Sequence, residues 1–388
     1  MTGDDPLLRW RDEFPILQRC TYLVSNSLGA MPRAAYDALR QYADEWAAEG
    51  VTAWHHWLPE VGRFGDEIGC LFGAPPGSVA LHQNVSILQA ILASALDFPP
   101  QRPEVLLCQY DFPTIHYFWL EQARRGARPI VVRGDDPVHP PVEQLIDRIS
   151  PRTRVVALSH VFYGSSYRIP LEPLVRRAHE CGALVFLDAF HSVGVLPFDV
   201  READVDVLFG ACLKWLCGGP GAAFVYVKPS LIPQLRPADT GWLSHRDPFA
   251  FAEGPIDLAD DAYRFLGGTP SIPALYAARE GVRIVTQVGV DAIRQKSLRQ
   301  TSLLIALALE NGLTINTPRD PEQRGGTVAV DCPHAPAISE ALIQRGFLID
   351  YRPGIGIRIA PHFYNSDAEC QAVIREIASL LANPRACG

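Results

Sequence analysis

The chain has 388 residues, 48% of them hydrophobic and 20% charged, with a formal net charge of −8. That length points to one large domain with a smaller one packed against it, and the acidic balance argues against a general nucleic-acid or membrane-surface binder. The start, "MTGDDPLLRWRDEF", is too acidic and polar for a secretory leader, no apolar run is long enough to span a bilayer, and nine cysteines lie scattered without paired metal spacing. A reducing, cytoplasmic location without a metal site is expected.

Residues 1–50 read as an N-terminal arm that contributes to the small domain. Residues 51–280 read as the large domain, where short apolar runs alternate with helical patterns. The predicted strands are "EVLLCQ" (104–109), "PIVVR" (129–133), "RVVALSH" (154–160), "ALVFLD" (183–188), "DVLFG" (206–210) and "AAFVYV" (222–227). The amphipathic segment "LEPLVRRAHECG" (171–182) ends in a helix-stop glycine. Continuous apolar strands alternating with helices predict an α/β fold with a mainly parallel central sheet covered by helices. Residues 281–388 read as a smaller α+β domain, with a long helical pattern to about residue 312, strands at "TVAVDC" and "GIRIA", and a last helix. "DPEQRGG" (320–326) reads as an exposed loop.

Only three of the 35 basic residues are lysines: Lys214, Lys228 and Lys296. Arginine cannot replace lysine where an amine must lose its proton and form a Schiff base. Lys228 reads as a solvated turn residue and Lys296 as an exposed helix residue. Lys214 differs, because "GACLKWLCGGPG" (210–221) sets it in an apolar run before a glycine-rich turn. Ligands in open α/β sheets sit beyond the carboxyl ends of the strands. "ALVFLDAFHSVG" puts Asp188 at such an end, with His191 three residues on, and the next strand delivers Lys214 to the same rim. This set suits pyridoxal 5′-phosphate: the lysine holds it as an imine and the carboxylate keeps its ring nitrogen protonated. Taken singly, Asp188 could be a helix cap and Lys214 a snorkelling surface lysine.

With these motifs the sequence resembles the fold-type I pyridoxal-phosphate enzymes of aminotransferase class V, and within them the kynureninase family, over nearly the whole chain. "YLVSNSLGAMP" (22–32) resembles that family's Asn-Ser-Leu-Gly segment and implies Asn26 at the substrate. "HQNVSILQ" (82–89) resembles its phosphate loop and implies Val85, through its backbone, and Ser86 as phosphate contacts. "DFPTIHY" (111–117) implies that Phe112 stacks on the cofactor, with Thr114 and Ile115 alongside, although plain core packing also accounts for Phe112. Ser159 falls where the family places another cofactor contact. "DTGWLSH" (239–245) implies that Trp242 reaches the phosphate. "FLGGTPSIPALYA" (265–277) implies that Thr269 does so in the neighbouring subunit of a homodimer. "YRPGIGIRIAPHFYNS" (351–366) implies that Arg358 is the fork for the substrate α-carboxylate. The catalytic group would be Lys214, Asp188 and His191. In "VTAWHHWLPEVG" (51–62), His55, His56 and Trp57 could sit near an aromatic substrate, or the segment could be a helix at an interface.

The resemblance implies hydrolysis of L-kynurenine, or a ring-substituted kynurenine, to an anthranilate and L-alanine, within tryptophan and kynurenine metabolism. One position departs from the family. Kynureninases carry a tyrosine directly before the Schiff-base lysine, and this chain has Leu213, which can neither donate nor accept a proton. Tyr163, Tyr167 or water could stand in. Leu213 also leaves open another class V reaction on an amino acid, as a C–S β-lyase, an aminotransferase or an epimerase.

Overall fold

The computed structural model describes residues 5–383. The N-terminal arm carries β1 (Thr21–Tyr22), followed by α1 (Ala35–Glu49) and α2 (Trp54–Cys70). Then come β2 (Val79–His82), α3 (Val85–Ser94), β3 (Glu104–Cys108), α4 (Pro113–Glu121) and β4 (Arg128–Val132). α5 (Val142–Arg148), β5 (Thr153–Ser159), α6 (Leu171–Glu180), β6 (Leu184–Asp188), β7 (Val207–Ala211) and β8 (Ala223–Val227) follow. After α7 (Ile272–Val288) and α8 (Val290–Glu310) come β9 (Thr314–Ile315), β10 (Val328–Asp331) and α9 (Ala335–Gln344). The chain finishes with β11 (Phe347–Leu348), β12 (Asp350–Arg352), β13 (Gly356–Ile359) and α10 (Asp367–Ala382).

Seven strands form the central sheet in the order β2-β8-β7-β6-β5-β3-β4. Its alternating side chains feed two apolar clusters. Leu106, Leu158, Leu187 and Leu208 face one side with α2 and α7, while Val105, Ala157, Phe186 and Phe209 face the other with α3 and α4. Burial on both faces is what makes these strands read as continuous apolar runs. The six predicted strands lie within one residue of the observed bounds. β3 to β7 pair in parallel, but β8 runs antiparallel to both β7 and β2. Parallel strands need a crossover, usually a helix. The loop from Cys212 to Ala222 contains none, so β8 must turn straight back, and Lys214 rides on that return.

β9, β10, β12 and β13 form a separate four-stranded sheet, and α8, α9 and α10 share its apolar cluster. The arm joins this part through β1, which pairs with β11 in parallel, and through the bridge Val24–Ala360. Its helix α1 instead packs along α7.

Three readings need correction. The long helical pattern is two helices, broken at Gly289, whose φ of 86° falls in the left-handed region that favours glycine. In "DPEQRGG" the chain is exposed only as far as Gln323. Arg324 is fully buried, with Nε donating to Thr301 Oγ1 (3.1 Å) and Nη2 to Ser302 Oγ (2.6 Å). Lys296 is buried rather than exposed. Its Nζ donates to the Phe363 carbonyl (2.6 Å) and pairs with Asp5 (2.9 Å), tying the arm to α8. Removing Lys296 breaks this buried pair and leaves the Phe363 carbonyl without its donor, while Arg299 remains on Asp5 (2.6 Å). Lys296→Ala is therefore expected to cost about 3 kcal/mol in urea unfolding. Lys228→Ala, which loses a surface pair to Asp204, should cost under about 1 kcal/mol.

Among the described residues, no helix is long and apolar enough to cross a membrane, and no cluster of His, Cys, Asp or Glu could hold a metal ion.

Candidate active site

β5, β6 and β7 end side by side, with Ser159 opposite Asp188 and Asp188 opposite Phe209. Beyond these ends lies a cavity of about 330 Å³, closed from the C-terminal part by Arg352 and Arg358. One wall is the start of α3. Asn84 caps that helix, its Oδ1 accepting from Ile87 N (3.0 Å). The amides of Val85 and Ser86 precede any intrahelical bond, so they are donors free for an anion.

Lys214 Nζ lies 2.8 Å from His191 Nε2, 4.8 Å from the Phe190 ring centroid and 5.6 Å from that of Phe112. Burial lowers its pKa to about 8. The Asp188 carboxylate opposes that shift, and Arg358 adds to it. Burial also raises the Asp188 carboxyl above its usual value, against the Phe190 N–H (2.9 Å) and the Lys214 charge. Burial, then Lys214 and Arg358, push His191 well below the ordinary histidine range, so its ring is neutral. The backbone around Lys214 is tightly packed. Gly29 N donates to Leu213 O (2.7 Å), and a side chain at Gly29 would collide with the Lys214 carbonyl. Gly281 on α7 meets the Leu216 carbonyl as closely. Cys217, Gly219 and Gly221 turn the chain at positive φ.

Arg358 is 3% exposed, on β13. Its Nε donates to Asp350 Oδ1 (2.7 Å) and its Nη2 to Asp350 Oδ2, while Nη1 donates to the Tyr163 carbonyl (2.9 Å). Arg352 Nη2 also reaches Asp350 (3.0 Å). An arginine has five N–H donors, so one on Nη1 and one on Nη2 remain uncommitted.

Most of the expected site residues converge here. Asn26, Val85, Ser86, Phe112, Thr114, Ser159, Asp188, His191, Lys214 and Arg358 all line the cavity. Four do not. Ile115 is 3% exposed and packs in the apolar core, because it falls on the inner face of α4. His56 lies on α2 and bonds Glu45 (3.1 Å), a carboxylate that also accepts from Trp57 Nε1 and the Tyr276 hydroxyl. That cluster pins α1, α2 and α7 together. Trp242 and Thr269 are exposed outside their own chain's cavity. Their segments lie side by side, with Leu243 N donating to Gly267 O (3.1 Å) and Gly267 N to Ser244 Oγ (3.0 Å).

Of the two candidate phenols, Tyr163 lines the cavity and Tyr167 packs against Phe162 instead. Sequence reasoning missed Gln89, Asp350, Arg352 and Asp111. For Gln89 the helical spacing from Val85 and Ser86 was the available signal. Asp111 accepts from Cys108 N (2.9 Å) and Ser159 N (2.8 Å), holding the turn before Phe112 to the end of β5. Burial pushes its carboxyl up to about 7. Nothing in its sequence neighbourhood announces that role.

The aminotransferase class-V family pattern matches residues 21–359. A kynureninase from Pseudomonas fluorescens is 33% identical over 371 residues, covering 91% of this chain and 86% of that protein. One from Burkholderia pseudomallei (strain K96243) is 32% identical over 363 residues, covering 90% and 86%. Among solved structures, a cysteine desulfurase from Thermococcus onnurineus NA1 superposes with a TM-score of 0.84 at 18% identity, covering 98% of this chain and 99% of that one. A cysteine desulfurase from Escherichia coli gives 0.84 at 17% identity, with the same coverage. At such identities the structural likeness speaks for the fold alone.

Proposed function

The chain belongs to the aminotransferase class-V family and, within it, to the kynureninases, and from that premise we propose that it hydrolyses L-kynurenine or a ring-substituted kynurenine with pyridoxal 5′-phosphate as cofactor. One observation carries the reading: Lys214, Asp188 and Arg358 meet in one cavity in a chain a third identical to kynureninases.

The residues present fit the cofactor. Val85 N, Ser86 and the start of α3 suit its phosphate, the Phe112 face suits its ring, and Asp188 suits its ring nitrogen. A cationic partner would keep the Asp188 carboxyl ionised despite burial. Asn26 is fully buried with both carboxamide atoms unpartnered, as a side chain waiting for a ligand would be. When bound, the cofactor supplies an electron sink for charge developing at the substrate carbon that bears the amine.

The chain's own groups do the rest. Lys214 Nζ, with its pKa near 8, is a base for the proton on that carbon, and neutral His191 orients it. Arg358 offers its two uncommitted N–H donors to the α-carboxylate, and Asp350 holds the guanidinium in that pose. Water contributes a hydroxyl to the γ-carbonyl carbon and the Cβ–Cγ bond breaks; Lys214 returns its proton to the α-carbon and Cβ takes a proton, giving an anthranilate and L-alanine. Leu213 cannot deliver that proton, so we assign it to the Tyr163 hydroxyl.

Exposed Trp242 and Thr269, lying together outside their own cavity, are assigned to the phosphate site of a second subunit in a cytoplasmic homodimer. We also keep residues 51–280 as the cofactor-binding body and 281–388, with part of the arm, as the substrate-carboxylate side.

The holoenzyme should convert L-kynurenine, or a ring-substituted kynurenine, to equimolar anthranilate and alanine, followed by anthranilate fluorescence. No anthranilate from any kynurenine in such a series would overturn the proposal.

A further inference from the structure

Gln89 lies on α3, one turn after Val85 and Ser86, and residues three and four apart share a helix face. It is 3% exposed and lines the same cavity. Its Oε1 is buried and meets no donor, and the side chain makes no hydrogen bond among the described residues. An unsatisfied buried polar group costs about 1–3 kcal/mol, a cost removed when a ligand supplies the partner. No protein group reaches the Gln89 carboxamide to satisfy it among the described residues. Leu213, which packs into the apolar cluster beneath α3, offers nothing polar. A half-turn of the carboxamide exchanges its oxygen and nitrogen and sets Nε2 where Oε1 now finds no donor. In that setting only an acceptor satisfies the group.

We propose that Gln89 is a further phosphate anchor, its Nε2 donating to the phosphate held at the start of α3. This rests on the cofactor reading above. The full-length protein, stripped of cofactor, is titrated with pyridoxal 5′-phosphate and separately with pyridoxal, which lacks the phosphate. Gln89→Leu should raise the Kd for pyridoxal 5′-phosphate about tenfold or more and leave that for pyridoxal unchanged. Gln89→Glu, of nearly the same shape but anionic, should weaken the phosphate ester further still. If the leucine variant does not fold, as judged by circular dichroism and Tm, unbranched Gln89→Met replaces it.

Wild-type affinity for the phosphate ester in both variants would overturn the proposal, as would equal losses for ester and pyridoxal. If the wild-type protein turns over kynurenine while the Gln89 variants bind normally, only this inference falls. If the wild-type protein does not bind pyridoxal 5′-phosphate, the cofactor reading falls and takes this inference with it.

Discussion

Replacing Lys214 with alanine is expected to lower kcat/KM for kynurenine by about a thousandfold or more, the range for loss of a positioned general base. Lys228→Ala should leave it unchanged, since Lys228 pairs with Asp204 on the surface. Removing the Lys214 amine should have the opposite effect on stability. Lys214 titrates at about 8 when folded, against 10.5 for an ordinary lysine, because burial disfavours its charge. The unfolded chain therefore binds more protons between those values, and stability rises with pH across that window. Below about pH 8 the buried amine costs about 3 kcal/mol. Lys214→Met should accordingly stabilise the cofactor-free protein at pH 7, with the gain shrinking to nothing by about pH 10.5. Urea unfolding at several pH values measures this. A destabilised variant at pH 7 would mean that Lys214 is held for packing rather than for chemistry.

Arg358→Ala is expected to raise KM for kynurenine by about a hundredfold, the worth of a charge-assisted pair in a buried site. Asp350→Asn should raise KM by about tenfold with kcat little changed, because it loosens the guanidinium without removing it. A KM rise larger in the Asp350 variant than in the Arg358 variant would reverse these roles. Steady-state kinetics with varied kynurenine separates the two.

The strands were legible because burial on both faces writes them as unbroken apolar runs. Asp188 was legible because it closes an apolar strand run, and Lys214 because a single lysine stands among apolar residues just beyond the end of β7. The direction of β8 was not, since an apolar strand reads the same in either direction and only the short return from β7 fixes it. Lys296 looked exposed because its partners, Asp5 and the Phe363 carbonyl, are remote in sequence. Asp350 and Asp111 were missed for the same reason: each acts by bridging segments that only the fold brings together. Motif resemblance supplied Arg358, while the structure added that its guanidinium is already braced by Asp350.

"GACLKWLCGGPG" now has a physical account. Gly29 and Gly281 let two backbones close on the loop, and burial keeps the Lys214 amine readily deprotonated.

The central claim is hydrolytic cleavage of the Cβ–Cγ bond at this site. Turnover of kynurenine by the holoenzyme in H₂¹⁸O, with products analysed by mass spectrometry, tests it most directly. The account predicts ¹⁸O in the anthranilate carboxylate and none beyond exchange in alanine, with the activity abolished in Lys214→Ala. Pyruvate or a transaminated keto acid in place of labelled anthranilate and alanine would contradict it.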